Sequence, residues 1–281
     1  MTNTALTTNT AIGSAPGVEP IGSSQDSSAQ FDGAQIDGVL FDIDDTLVDT
    51  RGAFAHALTA VCARYLPGLT SQQNEQALAM WRSDVNGHYR AYTRGEVTAR
   101  EQRIARANEL HAHFGGEHLD DAGFDAWDLV FQSGFRAAWT AFADARGVLD
   151  HLSASGLKLG ALSNAPMAMQ VDKMAATGLG DLEILVTLDT FGVGKPHAKV
   201  FLEACRLLGT DPQRTMYVGD ELDIDARGAA AVGLAGVWLD RPGTRRGGVH
   251  EEDAGLAARH GVHVIESLDQ VTKLLGIDGP A

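Results

Sequence analysis

FDIDDTLVDT, residues 41–50, is the most informative stretch of this sequence. It continues the apolar run IDGVLFD at 36–42, which is typical of a strand buried in a parallel sheet. The stretch holds no cation, yet four aspartates fall within eight positions, at 42, 44, 45 and 49. Two carboxylates about 4 Å apart repel by roughly 1 kcal/mol in water and by about 4 kcal/mol at an effective dielectric of about 20. The cluster therefore requires a positive partner, since a helix cap or an Asx-turn needs only one carboxylate.

Five further apolar runs, all beyond residue 155, are predicted to be strands. They are LKLGALS, EILVTL, TMYVGD, AGVWL and VHVI. Segments with helical periodicity, such as 197–208 and 266–275, lie between them. Strands that alternate with helices form right-handed βαβ units and a parallel sheet. We therefore predict an α/β fold, with a doubly wound parallel-sheet (Rossmann-like) core built from residues 36–51 and 141–281.

Residues 52–140 separate the first strand from the others and show helical periodicity without a convincing strand. Within them, Thr98 and Glu101 form the pattern of a capping box. Open α/β sheets bind ligands at the carboxyl ends of their strands, so we predict an all-helical cap inserted over that edge. Residues 1–35 contain few large apolar side chains and are predicted to be a disordered tail.

The composition excludes several classes of protein. The 281 residues carry 22 Lys plus Arg against 37 Asp plus Glu, and the net charge of −15 disfavours binding to nucleic acid or to an anionic membrane. No run approaches the roughly 18 apolar residues of a membrane span, and no basic start marks a signal peptide, so a cytoplasmic protein is predicted. Cys62 and Cys205 stand alone in apolar, helix-like stretches and are predicted to be buried free thiols.

Asp42 and Asp44 lie two apart at a strand-to-loop junction, so both can reach the crevice. One can serve as a metal-bound nucleophile and the other as a general acid or base. The segment LSNA places Ser163 and Asn164 after the second predicted strand, although a serine there is by itself typical of a helix cap.

Two later segments also carry charged side chains at strand or helix ends. In GVGKPHAKVF, Lys195 precedes a predicted helix. In YVGDELDIDARGA, Asp220 and Asp225 follow a predicted strand. Four acids between 220 and 225 are also compatible with a solvated helix start, but the apolar run that leads directly to Gly219 favours a site.

In this order, the segments resemble the four motifs of the haloacid dehalogenase superfamily. The matches are Asp42, Asp44 and Thr46 to the first motif, DxDx[TV], Ser163 with Asn164 to the second, Lys195 to the third, and Asp220 with Asp225 to the fourth, GDxxxxD. An insertion between the first two motifs resembles the helical-cap branch. That branch includes phosphoglycolate, sugar-phosphate and nucleotide phosphatases, β-phosphoglucomutases and 2-haloacid dehalogenases.

The resemblance implies a Mg²⁺-dependent phosphatase that hydrolyses a small phosphorylated metabolite through an aspartyl-phosphate intermediate. Asp42 is expected to attack phosphorus. Asp44 is expected to protonate the leaving alkoxide, so it must start protonated, and nearby carboxylates are expected to raise its pKa. The Mg²⁺ ligands implied are the Asp42 carboxylate, the Asp44 backbone carbonyl and Asp220.

Five further residues complete the site that the resemblance implies. Lys195 and Ser163 are expected to compensate the charge on the phosphoryl oxygens. Thr46 and Asn164 are assigned to the same phosphate-binding set. Asp225 is expected to orient metal-bound water or Lys195.

Substrate contacts from the cap are predicted at Arg90 and Arg94, within a polar cluster whose alternative interpretation is a solvated helix face. The cluster consists of Arg82, His88, Tyr89, Arg90, Tyr92 and Arg94.

Other functions compete with this interpretation. A 2-haloacid dehalogenase needs no leaving-group acid and no metal, so Asp44 and Asp220 favour phosphoryl transfer. A phosphomutase on the same scaffold stays open, because the exclusion of water cannot be read from sequence. A phospho-acceptor receiver domain is much shorter and has no cap. A catalytically inactive binding protein is disfavoured, because every expected catalytic residue is present.

Overall fold

A computed structural model describes residues 35–247, 250 and 252–277. Its centre is a six-stranded sheet in the order β3-β2-β1-β4-β5-β6, in which every neighbouring pair is parallel. The strands are β1 (Gly38–Phe41), β2 (Lys158–Leu162), β3 (Ile184–Val186), β4 (Thr215–Gly219), β5 (Ala235–Leu239) and β6 (His263–Ile265). The predicted parallel α/β core is confirmed. The predicted tail, residues 1–35, lies outside the described residues apart from Gln35.

The insertion between β1 and β2 begins with five helices. They are α1 (Thr50–Tyr65), α2 (Ser71–Ser83), α3 (His88–Thr93), α4 (Ala99–Phe114) and α5 (Asp121–Ala137). Thr98 and Glu101 form the predicted capping box, with Thr98 N donating to Glu101 Oε2 at 2.7 Å and Glu101 N donating to Thr98 Oγ1 at 3.2 Å. Four of these helices, α1, α2, α4 and α5, share a hydrophobic core rich in aromatic rings. The limits of the cap at 52 and 140 stay a prediction.

Helices cover both faces of the sheet. They are α6 (Ala145–Ala154), α7 (Met167–Ala176), α8 (Leu188–Phe191), α9 (Ala198–Leu208), α10 (Arg227–Ala230), α11 (Ala254–Arg259) and α12 (Asp269–Leu274). Side chains alternate along β1, as a strand requires. Val39 and Phe41 pack in one hydrophobic cluster with residues of α6 and α12, whereas Leu40 packs in another with residues of α9. The two faces of the sheet are therefore buried, so a functional site can form at the carboxyl ends of its strands.

Cys62 in α1 and Cys205 in α9 are buried free thiols, as predicted. Across the described part of the chain, no helix is both long enough and apolar enough to cross a membrane.

Candidate active site

The predicted site residues meet at the carboxyl end of the sheet. Asp42 directly follows β1, Ser163 follows β2 and Asp220 follows β4, and these three strands are neighbours. Lys195 precedes α9, and Asp225 lies in the helical turn after β4. Residues from four distant segments therefore converge because parallel strands end at the same edge.

Lys195 is the central cation of this edge. Its Nζ lies 2.6 Å from Asp42 Oδ1 and 2.6 Å from Asp225 Oδ1, and it donates to the Tyr217 hydroxyl at 2.8 Å. All four residues are buried. Burial opposes the charge of Lys195, but the carboxylates of Asp225 and Asp42 outweigh it and raise its pKa well above the ordinary value. Lys195 therefore stays an ammonium group.

The Asp42 carboxylate has one engaged oxygen and one freer oxygen. Lys195 binds Oδ1, while among the described residues Oδ2 accepts one long hydrogen bond, from Thr46 Oγ1 at 3.4 Å. Burial raises the pKa of Asp42 to about 7, against the effect of Lys195, and the charges of Asp225 and Asp44 add to the rise. A further cation beside this carboxylate would favour its ionised form, which is the nucleophilic one.

Asp44 has a cationic partner that sequence analysis missed. Its carboxylate contacts Lys173 Nζ and accepts hydrogen bonds from Thr50 Oγ1 and Gln170 Nε2, both at 2.6 Å. Desolvation raises the pKa of Asp44, but Lys173 and these hydrogen bonds outweigh it and hold the pKa below its ordinary value. The expectation that carboxylates raise this pKa is therefore wrong, because an ammonium group faces Asp44.

Both missed partners belong to α7, the helix that follows Ser163. Gln170 and Lys173 lie three residues apart and so share one helix face. Lys173 is 1% exposed, and its Nζ lies 5.5 Å from the ring centre of Phe135 and 5.7 Å from that of Trp139. Two polar residues at helical spacing directly after the LSNA segment were the signal that could have found them.

Ser163 and Asn164 have different surroundings. Ser163 Oγ accepts from Gln170 Nε2 at 2.6 Å and lies 3.5 Å from Asp44 Oδ2, so the hydroxyl lies beside Asp44. Asn164 is engaged with the Lys195 backbone: its Oδ1 accepts from Lys195 N at 2.6 Å, and its Nδ2 donates to Lys195 O at 3.0 Å. The Asn164 side chain thus positions the Lys195 loop, and a phosphate contact from Asn164 stays a prediction.

Three carboxylates could hold a metal ion. Asp42, Asp220 and Asp225 offer oxygens that lie within 4.8 Å of one another. Burial raises the pKa of Asp220 well above its ordinary value, against Arg246 and with help from the neighbouring acids. A set of oxygen ligands with surplus negative charge suits Mg²⁺, so the predicted ion fits here. The backbone carbonyl of Asp44 as a ligand stays a prediction.

Asp225 itself is already engaged. One oxygen binds Lys195, and the other accepts from Glu221 N at 3.0 Å. These contacts support the predicted role of Asp225 in orienting Lys195.

Two arginines at the site were not predicted as functional residues. Arg246, in the loop after β5, lies 2.9 Å from Asp220 Oδ2 and also contacts Glu221. Arg82, at the end of α2, lies 2.8 Å from Asp45 Oδ2 and so joins the cap to the loop after β1. Arg82 belongs to the polar cluster noted in the sequence, but its pairing with Asp45 and the pairing of Arg246 with Asp220 depend on how the cap and a long loop fold over the edge.

A cavity of about 170 Å³ separates the strand ends from the cap helices. Arg90 lines it and reaches Asp223 at 3.4 Å and His250 Nδ1 at 3.3 Å. Arg94 does not line it: its side chain is 57% exposed and forms two hydrogen bonds to Glu96, at 2.6 and 2.8 Å. The prediction that Arg94 contacts substrate is corrected accordingly, since its guanidinium is held at the cap surface.

The chain is similar to known proteins both in sequence and in fold. The sequence model of the haloacid dehalogenase-like hydrolases matches residues 36–233. A glyceraldehyde 3-phosphate phosphatase of Methanopyrus kandleri is 30% identical over 210 residues, which cover 73% of this chain and 84% of that protein. A ribulose-1,5-bisphosphate 5-phosphatase of Halopiger xanaduensis is 25% identical over 238 residues, which cover 84% of this chain and 98% of that protein.

Among solved structures, the fold is similar to that of the magnesium-bound hydrolase YfnB of Bacillus subtilis. The TM-score is 0.70 at 21% sequence identity, and the match covers 86% of this chain and all of that one. At this identity the similarity concerns the fold.

Proposed function

Because the chain belongs to the haloacid dehalogenase-like hydrolase family, we propose that it is a Mg²⁺-dependent phosphatase of small phosphorylated metabolites that works through an aspartyl-phosphate. The observation that carries the proposal is the pairing of Asp42 with Lys195 beside a second acid, Asp44, at the sheet edge. The curated relatives described above are themselves phosphatases.

In the first step, the freer oxygen of Asp42, Oδ2, attacks phosphorus, and the bond from phosphorus to the leaving oxygen breaks. Asp44 gives its proton to that oxygen. A phosphoryl dianion beside Asp44 raises the pKa of the acid and so counteracts Lys173. Ser163 Oγ lies beside Asp44 and can donate a hydrogen bond to a phosphoryl oxygen.

In the second step, Asp44 is a carboxylate and removes a proton from water, which attacks phosphorus and releases phosphate and Asp42. The lowered pKa that Lys173 confers keeps Asp44 ionised, which is the form that can accept this proton. Lys195 compensates the charge of Asp42 in both steps. Mg²⁺, bound at Asp42 and Asp220, would supply the positive charge that draws the phosphoryl oxygens toward these carboxylates.

Two alternatives make different products. A 2-haloacid dehalogenase would release halide and would not need Asp44 or Asp220. A phosphomutase would return the phosphoryl group to its product, so inorganic phosphate would not accumulate. We therefore expect release of inorganic phosphate, and no halide from 2-chloropropionate.

The test uses the full chain against a panel of metabolite phosphates and 4-nitrophenyl phosphate, with Mg²⁺ or with EDTA. We expect phosphate release that depends on Mg²⁺ and is lost in Asp42→Asn, whose amide is not a nucleophile. Asp121→Asn, the same change on the cap surface, is the matched control and should keep its activity, because the Asp121 side chain is 89% exposed. Hydrolysis that survives in Asp42→Asn would refute the mechanism.

A further inference from the structure

Arg106 of α4 occupies the wall of the cavity opposite the strand ends. Its guanidinium lies 4.0 Å from the ring centre of Trp81 and 5.8 Å from that of Tyr89. Its hydrogen-bond partners are uncharged: the backbone carbonyl of Trp81, and Gln102 Oε1 at 3.3 Å. Arg106 is thus a fixed positive charge on an aromatic wall.

Arg106 differs from the other arginines that line this cavity. Each of the others has a carboxylate partner, and the pairs are Arg82 with Asp45, Arg90 with Asp223, Arg103 with Asp128 and Arg246 with Asp220. Within residues 35–247, 250 and 252–277, Arg106 has no carboxylate oxygen within 4.0 Å. Burial lowers the pKa of Arg106 to about 10, which leaves it protonated at neutral pH.

The acids that influence Arg106 from a longer distance are occupied elsewhere. Asp84 accepts from the backbone N–H groups of Tyr89 and Arg90, both at 3.0 Å. Glu109 binds His88 Nε2 at 2.7 Å. Neither can turn to Arg106 without giving up these contacts, so the guanidinium keeps its capacity for an anion from outside the chain.

Tyr89 connects Arg106 to the reacting end of the cavity. Its hydroxyl donates to Asn164 O at 3.4 Å, in the loop that carries Ser163, while its ring lies beside Arg106. The same cavity is therefore lined by Asp42 and Asp44 at the strand ends and by Arg106 on the cap side, where the described part of the chain supplies no carboxylate partner. Between them the wall is aromatic, formed by Phe54, Trp81, Phe131 and Phe135.

We propose that the cavity takes a phosphomonoester whose leaving group carries a second anionic group, a carboxylate or a second phosphate, and that Arg106 binds this group. The proposal rests on the proposed function and narrows its substrate class. Metabolites with an uncharged leaving group would leave the Arg106 charge without a counter-ion, and should be poorer substrates. An arginine bound to a carboxylate or phosphate gains charge-assisted hydrogen bonds that an uncharged group cannot replace.

The experiment compares two aryl phosphates of nearly equal size, 4-carboxyphenyl phosphate and its amide, 4-carbamoylphenyl phosphate. We expect Arg106→Gln to lower kcat/KM for the carboxylate by about tenfold to a hundredfold, mainly through KM, and to leave the amide nearly unchanged. Expressing each variant relative to the wild type cancels the different acidity of the two leaving groups. Arg106→Lys should restore part of the loss, and Arg94→Gln, at the cap surface, should change neither substrate.

Metabolites separate the two sources of the anion. KM in Arg106→Gln is compared for 3-phosphoglycerate, which carries a carboxylate, for ribulose 1,5-bisphosphate, which carries a second phosphate, and for glycerol 3-phosphate, which carries neither. The largest rise in KM identifies the source. Equal changes for all three would overturn the proposal.

A binding measurement keeps this inference separate from the proposed function. 4-Carboxybenzylphosphonate, which cannot be hydrolysed, should raise the Tm of the wild-type protein more than its amide does, and Arg106→Gln should remove that difference. If no phosphate is released but this difference holds, the phosphatase proposal fails and the anion site stands. If phosphate is released but wild type and variant treat the paired ligands alike, the anion site fails. Should Arg106→Gln not fold, equal stabilisation of the wild type by both phosphonates overturns the inference.

Discussion

The sheet edge and the cap cavity hold their charges in different ways. At the edge, Lys195 lies between the carboxylates of Asp42 and Asp225. Lys173 forms a salt bridge with Asp44, and Arg246 forms one with Asp220, so each of these cations has a carboxylate partner. In the cap, aromatic rings such as Trp81 and Phe131 line the cavity, and Arg106 has no carboxylate oxygen within 4.0 Å among the described residues. The difference indicates that the charged groups of the edge are already paired with one another. In the cap cavity, by contrast, the charge of Arg106 can be balanced by an anionic group of the ligand.

The largest effect should come from the edge. Lys195→Ala should lower kcat about a thousandfold for 4-nitrophenyl phosphate and for a metabolite alike, because both share the phosphoryl group whose charge Lys195 compensates. Steady-state phosphate release measures this. Lys199→Ala, an exposed lysine in the next helix, is the control. A loss confined to the metabolite would contradict the division between edge and cap.

Asp44→Asn should lower turnover roughly a hundredfold but leave the first step possible with an aryl leaving group, which needs little protonation. Phosphorylated protein should then accumulate, because no carboxylate at 44 activates water. Intact-protein mass spectrometry after rapid acid quench measures the added phosphoryl group. Finding no more phosphoenzyme than in the wild type would argue against the role of Asp44 as base.

Lys173→Met tests the pairing found on α7. We expect kcat/KM to fall about tenfold more for an alkyl phosphate than for 4-nitrophenyl phosphate, because only the alkyl leaving group depends strongly on a well-placed Asp44. Lys173→Arg should recover part of the loss. A uniform fall on both substrates, without recovery by arginine, would make Lys173 a packing residue.

The smallest effects should come from the two cap arginines, Arg90 and Arg94. Arg90→Ala should raise KM for a metabolite severalfold without a matching change for 4-nitrophenyl phosphate, because Arg90 lines the cavity. Arg94→Ala should leave both unchanged, since its guanidinium pairs with Glu96 outside the cavity. Initial rates over a range of substrate concentrations distinguish the two. A matching rise in Arg94→Ala would place Arg94 in the substrate path.

Sequence patterns predicted the sheet edge better than the cap. Asp42 and Lys195 come from segments whose ends are set by strands and helices of regular spacing, so their meeting follows from the topology. Lys173 was not predicted as a site residue because its contact with Asp44 depends on which face of α7 lies against the sheet edge. Arg106 was not predicted as a site residue because what distinguishes it is the lack of a carboxylate partner among the described residues. The absence of an ion pair has no sequence signature. Arg94 was assigned wrongly for a related reason: Glu96, two residues on, captures it at the surface.

The aromatic wall of the cavity is also the interior of the cap. Trp81 and Phe131 lie 5.0 Å apart between ring centres, and Phe54 and Phe135 stack at 4.7 Å, within the cluster that joins α1, α2, α4 and α5. Removing one such ring typically costs about 3–5 kcal/mol of stability. Drift toward new substrates is thus constrained at these positions, since a change of cavity shape weakens the domain itself. Evolution can adjust selectivity more cheaply at side chains that line the cavity but lie outside this cluster, such as Arg106 and Tyr89.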